Sequence, residues 1–451
     1  MASAANTITA PRPQPVASAV TEDAGARRDG RDDAAGLRHD GKARAVSLPL
    51  AGLRVVDLTR ALAGPFATMT LADLGAEVVK VEPADGDMTR GWGPFDADGE
   101  SLYFQSTNRG KRSIAIDLRD ARGKALLHDM ALGADVLVEN FRPGVLHAMG
   151  LDHAALSPRN PGLIVASISG YGRGGPYEDW PGFDQIAQGM SGLMSLNGDA
   201  ATGPLRVGIP IGDLVAGMWL TIGVLAAVAE RTRTGRGRVV ETSLLGGLTG
   251  LMTFQAQRFL SLGEVAAPQG NDHPLICPYG VFEAADGPFN IAAATEGMWR
   301  TLCRVLDRPE LLENSDYADN AARMRNRDAL RAALCEAMRD RTRAELTRTL
   351  IAAGVPAGPI LRMDEVFTDP HVLASGLVTE VARPGRAPLR QAAMPVRLGP
   401  DTAPAPTPAT PPPSLGADTR AVLAAFGFDA DAVGALLDAG VVRETQGETR
   451  A

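Results

Sequence analysis

The chain has 451 residues, is 45% hydrophobic and 22% charged, and carries a formal net charge of −8 with a pI near 5.4. That length accommodates two or three domains with sizeable cores, and the acidic balance, without any RNA- or DNA-binding motif, argues against a nucleic-acid partner. Cys277, Cys303 and Cys335 have neither metal-ligand nor redox spacing, which suits a reducing, cytoplasmic compartment.

Residues 1–46 are rich in Ala, Pro, Arg and Asp without periodicity and predict a disordered extension, with no secretory h-region and too many acids for a transit peptide. From 52 the chain alternates strand and helix. GLRVVDL (52–58) predicts a strand, Phe66–Leu74 a helix ended by Gly75, and AEVVKVE (76–82) the next strand. The intervening turn lacks the G-x-G-x-x-G fingerprint, which excludes an ordinary dinucleotide site. DGDMTRGWGPF (85–95) is a Gly-rich loop carrying Trp92. NRGKRSIAIDLRD (108–120) then sets Arg109, Lys111 and Arg112 before a strand and Arg119 after it. Such a cluster either holds the phosphates of a nucleotide or is a solvated basic turn. A helix over 121–134 and strands at 135–141 and 163–172 complete the pattern of a doubly wound parallel α/β sheet. From about 265 the character changes: Asp286-Gly287 marks a hairpin, and 296–353 is mainly helical. The expected organisation is a large domain over 47–264, a small α+β domain over 265–375, and a return to the large domain over 376–445. That return includes a Pro-rich linker at 404–413 and C-terminal helices.

One stretch concentrates the chemistry. In PLRVGIPIGDLVAGMWLTIGVLAAVAE (204–230), Val207, Ile209 and Ile211 alternate like a short strand, Gly212 offers a tight turn, and Leu214–Glu230 reads as a buried helix. The apolar run 214–229 is too short for a membrane span. Asp213 therefore lies at a helix N-terminus, where negative charge is favoured. Its ordinary role there is an N-cap. The alternative is a covalent nucleophile that attacks an acyl-CoA carbonyl. Asp184, near the start of another helix (from about Phe183), reads as a first-turn acid.

Together the blocks LAGLRVVDL, AGPFATMTLADLGAEVVKVE, GDMTRGW, SLYF, NRGKRSIAIDL, DVLVENFRPG, GIPIGD and LLDAGVV resemble the family III CoA-transferases, the group of formyl-CoA and carnitine CoA-transferases. The resemblance implies a Rossmann-like large domain, a smaller domain, and an intertwined, ring-like homodimer. It implies that Asp213 is the covalent nucleophile, with Gly212 beside it and Asp184 in the place of an active-site glutamate. Backbone N–H groups near Gly212 and the 182–185 turn are the expected oxyanion donors. By the same resemblance Trp92 gates the site, while Asn140, Phe141, Met149, Ile116 and Arg119 contact CoA. Leu62 stands where formyl-CoA transferase has a glutamine, and Pro83 and Ala148 replace arginines, which argues against formate/oxalate exchange. GNDHPLICPYGVF (270–282) instead is similar to the branch that handles larger acids, often with succinyl-CoA as donor. The implied reaction moves CoA from an acyl-CoA to a free carboxylic acid through an aspartyl-CoA thioester, with no metal and no cofactor beyond CoA itself. An α-methylacyl-CoA racemase needs a second proton carrier where this chain has Phe183. A non-catalytic CoA-binding protein has no chemical reason to retain the Gly212-Asp213 pair.

Overall fold

The computed structural model describes residues 48–398 and 410–445. The expected N-terminal extension over 1–46 and most of the Pro-rich tract lie outside the described residues.

A seven-stranded sheet organises the fold. Its strands are β1 (Arg54–Asp57), β2 (Glu77–Glu82), β3 (Lys111–Ile116), β4 (Val136–Glu139), β5 (Ile164–Ser169), β6 (Val239–Ser243) and β7 (Val442–Arg443). The order across the sheet is β7-β3-β2-β1-β4-β5-β6. Neighbours run parallel except β7, which is antiparallel to β3. The chain winds outward from β1 to β3, then restarts on the other side of β1 with β4. This reversal leaves a crevice at the carboxyl ends of β1 and β4, the usual ligand position in open α/β sheets.

Alternation along each strand assigns two faces. One carries Val55, Val78, Val136, Val138, Ile164 and Ala166. It is covered by α1 (Ala63–Asp73) and by two helices introduced below. The other face carries Val56, Val79, Ile114, Ile116, Leu137 and Val165, packed under α2 (Ala121–Leu132). Helix α3 (Asp184–Met190) and the long α4 (Ile211–Thr234) follow β5, and α5 (Leu244–Leu251) follows β6. Ala216, Leu220 and Val224 of α4 and Leu248 of α5 fill the first face. Close approach of α4 to α1 requires Gly217, because a Cβ there would stand 2.6 Å from the Ala63 carbonyl oxygen. The second face is closed by α6 (Thr419–Ala425) and α7 (Ala430–Asp438), which contribute Val422, Leu423 and Val433.

By length and composition α4 could cross a membrane, yet half of its girth is inside this core and the rest exposes Met218, Trp219 and Ile222. The strand expected over 207–211 does not form: residues 205–210 run without ladder partners and α4 begins at Ile211. Pro210 has no N–H to donate to a ladder. Gly212 accordingly lies inside the first helical turn, not in a turn before it.

A second core lies beyond 265. Strands Tyr279–Ala284 and Gly287–Ala292 form the expected hairpin, and Ala357–Pro359 adds a third strand. Helices including Glu296–Val305 and Arg327–Met338 pack on them around Phe289, Trp299, Leu302 and Leu334. A further hairpin, Val378–Val381 with Leu389–Ala392, clamps the segment 96–105 between the Gly-rich loop and β3. Arg383 donates to Asp96 at 2.9 Å, Arg386 to Glu100 at 2.6 Å, and Gln391 to the Gln105 carbonyl at 2.6 Å.

Candidate active site

The N-terminal turns of α3 and α4 meet. Asp184, the first residue of α3, accepts the Gly212 N–H on Oδ1 at 2.7 Å and the Gln188 side-chain amide on Oδ2 at 2.7 Å. Glycine is needed at 212 because a Cβ would come within 3.0 Å of Asp184 Oδ1 and 3.1 Å of Leu248. One residue on, the Asp213 carboxylate has no hydrogen-bond partner among the described residues. Burial, and then the negative charge of Asp184, push it up from 3.8 to about 7. The first-turn amides of α4 are also accounted for. Ile211 donates to Ile209, Gly212 to Asp184 and Leu214 to Pro210. Of the backbone N–H groups near Gly212 expected as oxyanion donors, that of Gly212 itself is not free. Its proton is already taken, and the unclaimed amide among the described residues is that of Asp213 itself.

Tyr103, which sequence reasoning passed over within SLYF, also faces this pair. Burial and the charges of Asp213 and Asp184 raise its phenol above the ordinary range. Trp92 packs edge-on against it, with ring centroids 5.2 Å apart, and remains partly exposed. The 378–392 hairpin holds the segment that joins the two aromatics, through Asp96, Glu100 and Gln105. Only the hydrophobic company of Tyr103 was visible in sequence.

Other expected contacts fall in different places. Leu62 is buried immediately before α1, following Ala61, whose φ of 62° is left-handed. Asn140, after β4, uses its amide to hold that turn, accepting the Arg60 N–H at 2.9 Å and donating to the Arg60 carbonyl at 2.8 Å. Phe141 and Met149 pack beside the core on the second face of the sheet, with partly exposed side chains. The Ile116 side chain is fully buried in that core, so it cannot touch a ligand as expected.

The basic cluster requires the largest correction. Arg109 is buried and forms a two-pronged ion pair with Asp73, at 3.0 and 2.6 Å. Lys111 is buried with Asp57 at 3.1 Å. Burial pulls the Lys111 ammonium down to about 8 although Asp57 opposes it. Burial would raise Asp57, but Lys111 and Lys80, with Thr59 and Thr68, hold it at about 2. Both basic residues are thus counter-ions inside the sheet face and cannot serve phosphates. Arg112 and Arg119 are solvent-facing and pair with Glu77 and Asp117. Two arginines missed in the sequence are better placed. Arg60 lies over the Phe141 ring at 5.6 Å, Arg142 is exposed beside it, and neither makes an ion pair among the described residues. Their signal was present in TRALAGP and NFRPG, at the carboxyl ends of β1 and β4. Next to them opens a cavity of about 570 Å³ lined by Phe141, Arg142, Ser167, Arg173 and Glu241.

Residues 50–419 match the model of CoA-transferase family III. The chain is 38% identical over 396 residues to succinyl-CoA:glutarate CoA-transferase of Homo sapiens, covering 87% of this chain and 90% of that protein. It is 40% identical over 336 residues to succinate–glutarate CoA-transferase of Agrobacterium fabrum, covering 73% and 84%. A crystal structure of a CAIB/BAIF family protein from Brucella suis superposes with a TM-score of 0.76 at 38% identity, over 84% of this chain and all of that one. A Mycobacterium tuberculosis structure gives 0.74 at 31% identity, over 83% and 99%. With the sheet, the reversal at β1 and the paired helix N-termini already in view, the match over most of its length means that this chain belongs to CoA-transferase family III.

Proposed function

We propose that the chain transfers CoA from an acyl-CoA donor, succinyl-CoA, to a free dicarboxylic acid, with Asp213 as covalent carrier. The observation that carries this reading is the isolation of the Asp213 carboxylate: among the described residues no donor ties up its lone pairs, and the charged neighbour that acts on it is the Asp184 anion. A free oxygen of Asp213 attacks the thioester carbonyl, the C–S bond breaks, and CoA thiolate leaves an aspartyl anhydride. The thiolate then attacks the Asp213 carbonyl, expelling the donor carboxylate and forming an aspartyl-CoA thioester. The acceptor carboxylate attacks that thioester and releases the thiolate, which attacks the acceptor's carbonyl and restores Asp213. No proton, electron or water is consumed. The Asp213 N–H is the donor for the oxyanion, Tyr103 faces the reacting carboxylates, and Arg60 with Phe141 receives the nucleotide of CoA. The succinyl donor and dicarboxylate acceptor are supported by the names of the relatives.

The test is intact mass spectrometry after mixing with succinyl-, acetyl- and propionyl-CoA, followed by hydroxylamine or borohydride. A CoA-sized adduct mapped to Asp213 is expected, largest with succinyl-CoA. Asp213→Ala should lose transfer while still binding CoA. Activity in that variant, or no adduct alongside α-deuterium uptake by a 2-methylacyl-CoA, refutes the reading in favour of racemisation.

This reading includes an intertwined homodimer of two-domain subunits, with 47–264 and 376–445 forming the CoA-binding domain and 265–375 the small one. A second copy would cover Met218, Trp219 and Ile222 of α4 and the neighbouring apolar cleft of about 940 Å³ lined by Phe66, Met69 and Leu225. Sedimentation at twice the 47.2 kDa chain mass is the expected result, and a monomer refutes it. Free Cys277, Cys303 and Cys335 support a cytoplasmic enzyme, which recovery outside the cytosolic fraction would contradict.

A further inference from the structure

Gln188 lies one helical turn beyond Asp184 on α3, and its side chain is fully buried. Its Oε1 accepts the Val207 N–H at 2.9 Å, while its Nε2 donates to Asp184 Oδ2 at 2.7 Å and approaches the Ile209 carbonyl at 3.5 Å. Two hydrogen-bond partners of fixed polarity therefore decide which way this amide points. A backbone N–H can only donate, so the oxygen of Gln188 must face Val207 and its NH₂ must face Asp184. On the opposite side Asp184 meets a second obligate donor, the Gly212 N–H at 2.7 Å. A group at 184 that satisfies donors on both sides must accept on both sides. A carboxylate does so with its two oxygens; an amide has an oxygen on one side only and on the other puts a hydrogen against a hydrogen.

We propose that Gln188 is a positioning residue for the nucleophile: pinned by the Val207 N–H, it requires an acceptor on both sides at 184, a carboxylate and not an amide, and thereby holds the Asp184 carboxylate beside Asp213. This inference rests on the role assigned to Asp213 above. A fixed anion disfavours the free Asp213 carboxylate, and the repulsion disappears when that carboxylate becomes a neutral anhydride or thioester. Charge at 184 thus favours the covalent states over the resting one. The same linkage ties the 205–210 segment to α3, so the polarity of one buried amide governs both the charge and the approach to the nucleophile. The groups facing Asp213 are few. Asp184 comes from α3 and Tyr103 from the short helix Leu102–Gln105. The sole acid of α1, Asp73, is paired with Arg109, and α5 carries no titratable residue.

The experiment is a polarity exchange using Asp184→Asn, Gln188→Glu and the double variant in the full chain. Asp184→Asn alone sets an amide NH₂ against that of Gln188, which cannot turn over, and is expected to lower Tm by about 3 °C or more. Adding Gln188→Glu supplies carboxylate oxygens to both the new amide and the Val207 N–H. The bonds to Val207, to residue 184 and to Gly212 are then restored, the long 3.5 Å contact to the Ile209 carbonyl alone being lost, with the charge moved one turn along α3. Tm should return to within about 1 °C of wild type, while the acidic limb of kcat/KM for succinyl-CoA falls by about one pH unit and the steady-state adduct falls about tenfold. Asp184→Asn as stable as wild type, or a double variant less stable than that single one, overturns the proposal. So does a double variant with recovered Tm and a wild-type pH limb. Because Tm needs no turnover, absence of any adduct in the wild-type protein would count against the transferase reading alone.

Discussion

If Asp213 is held in place at the expense of the fold, removing its charge should stabilise the protein while ending its chemistry. Its carboxyl titrates at about 7 in the folded chain and at 3.8 when exposed. At about 1.36 kcal/mol per pH unit, that rise corresponds to about 4 kcal/mol. Because the folded value is the higher one, the folded protein keeps a proton between pH 4 and 7 that the unfolded chain has already released. Stability from this group is therefore complete below about pH 4, declines as pH rises, and is gone above about 7. Asp213→Asn removes that slope. Urea unfolding of wild type and variant from pH 4 to 8.5 should give equal stabilities at the acidic end and a variant more stable by up to about 4 kcal/mol at pH 8. The same variant should have no measurable transfer activity, since a neutral amide does not attack the thioester. A stability difference that does not change with pH, or a wild type that is the more stable at pH 8, would refute the electrostatic account of the site.

The free-enzyme rate should follow the same ionisation: kcat/KM for the acyl-CoA falls about tenfold per pH unit below about 7 and levels above it, whereas a flat profile down to pH 5 contradicts the nucleophile's protonation state. Lys111→Met strands Asp57 among buried groups and should cost about 3–5 kcal/mol of stability in denaturant titration; a loss below about 1 kcal/mol would mean that the pair is solvated. Arg109→Ala should lower Tm yet leave KM for acyl-CoA within about twofold, because its partner is Asp73 and not a phosphate. A tenfold rise in KM at unchanged Tm reverses that assignment.

The strands and helices of the sheet were legible because each buries a regular face, but the polar interior was not. Nothing in AEVVKVE names partners for Lys80 and Glu82; in the structure both are buried, Lys80 against Asp87 and Glu82 against Arg90. Lys111 and Arg109 looked like free cations because their acids are 54 and 36 residues away. The run Val207, Ile209, Ile211 had the period of a strand, and the two residues that spoil it, Gly208 and Pro210, decide the outcome. Asp213 stood out as an acid among apolar residues. Its special state could not be read, because it depends on Asp184 arriving from another helix.

The closing of the sheet by β7 has a consequence for how the protein is made. Ser113 donates its N–H to Asp418 and Gly416 donates to the Ser113 hydroxyl, across 305 and 303 residues, and α6 and α7 roof the core built on β3. While a ribosome is still translating the intervening segments, the apolar side of β2 and β3 has no complete cover. Loop closure over so long a span adds little free energy beyond that of a shorter loop, but it imposes a wait. The nascent chain must carry an unfinished, edge-exposed sheet through the synthesis of an entire second core. Any slowing of translation beyond 120 therefore prolongs the interval in which that edge can pair wrongly, so synthesis rate, as well as sequence, bears on the yield of folded enzyme.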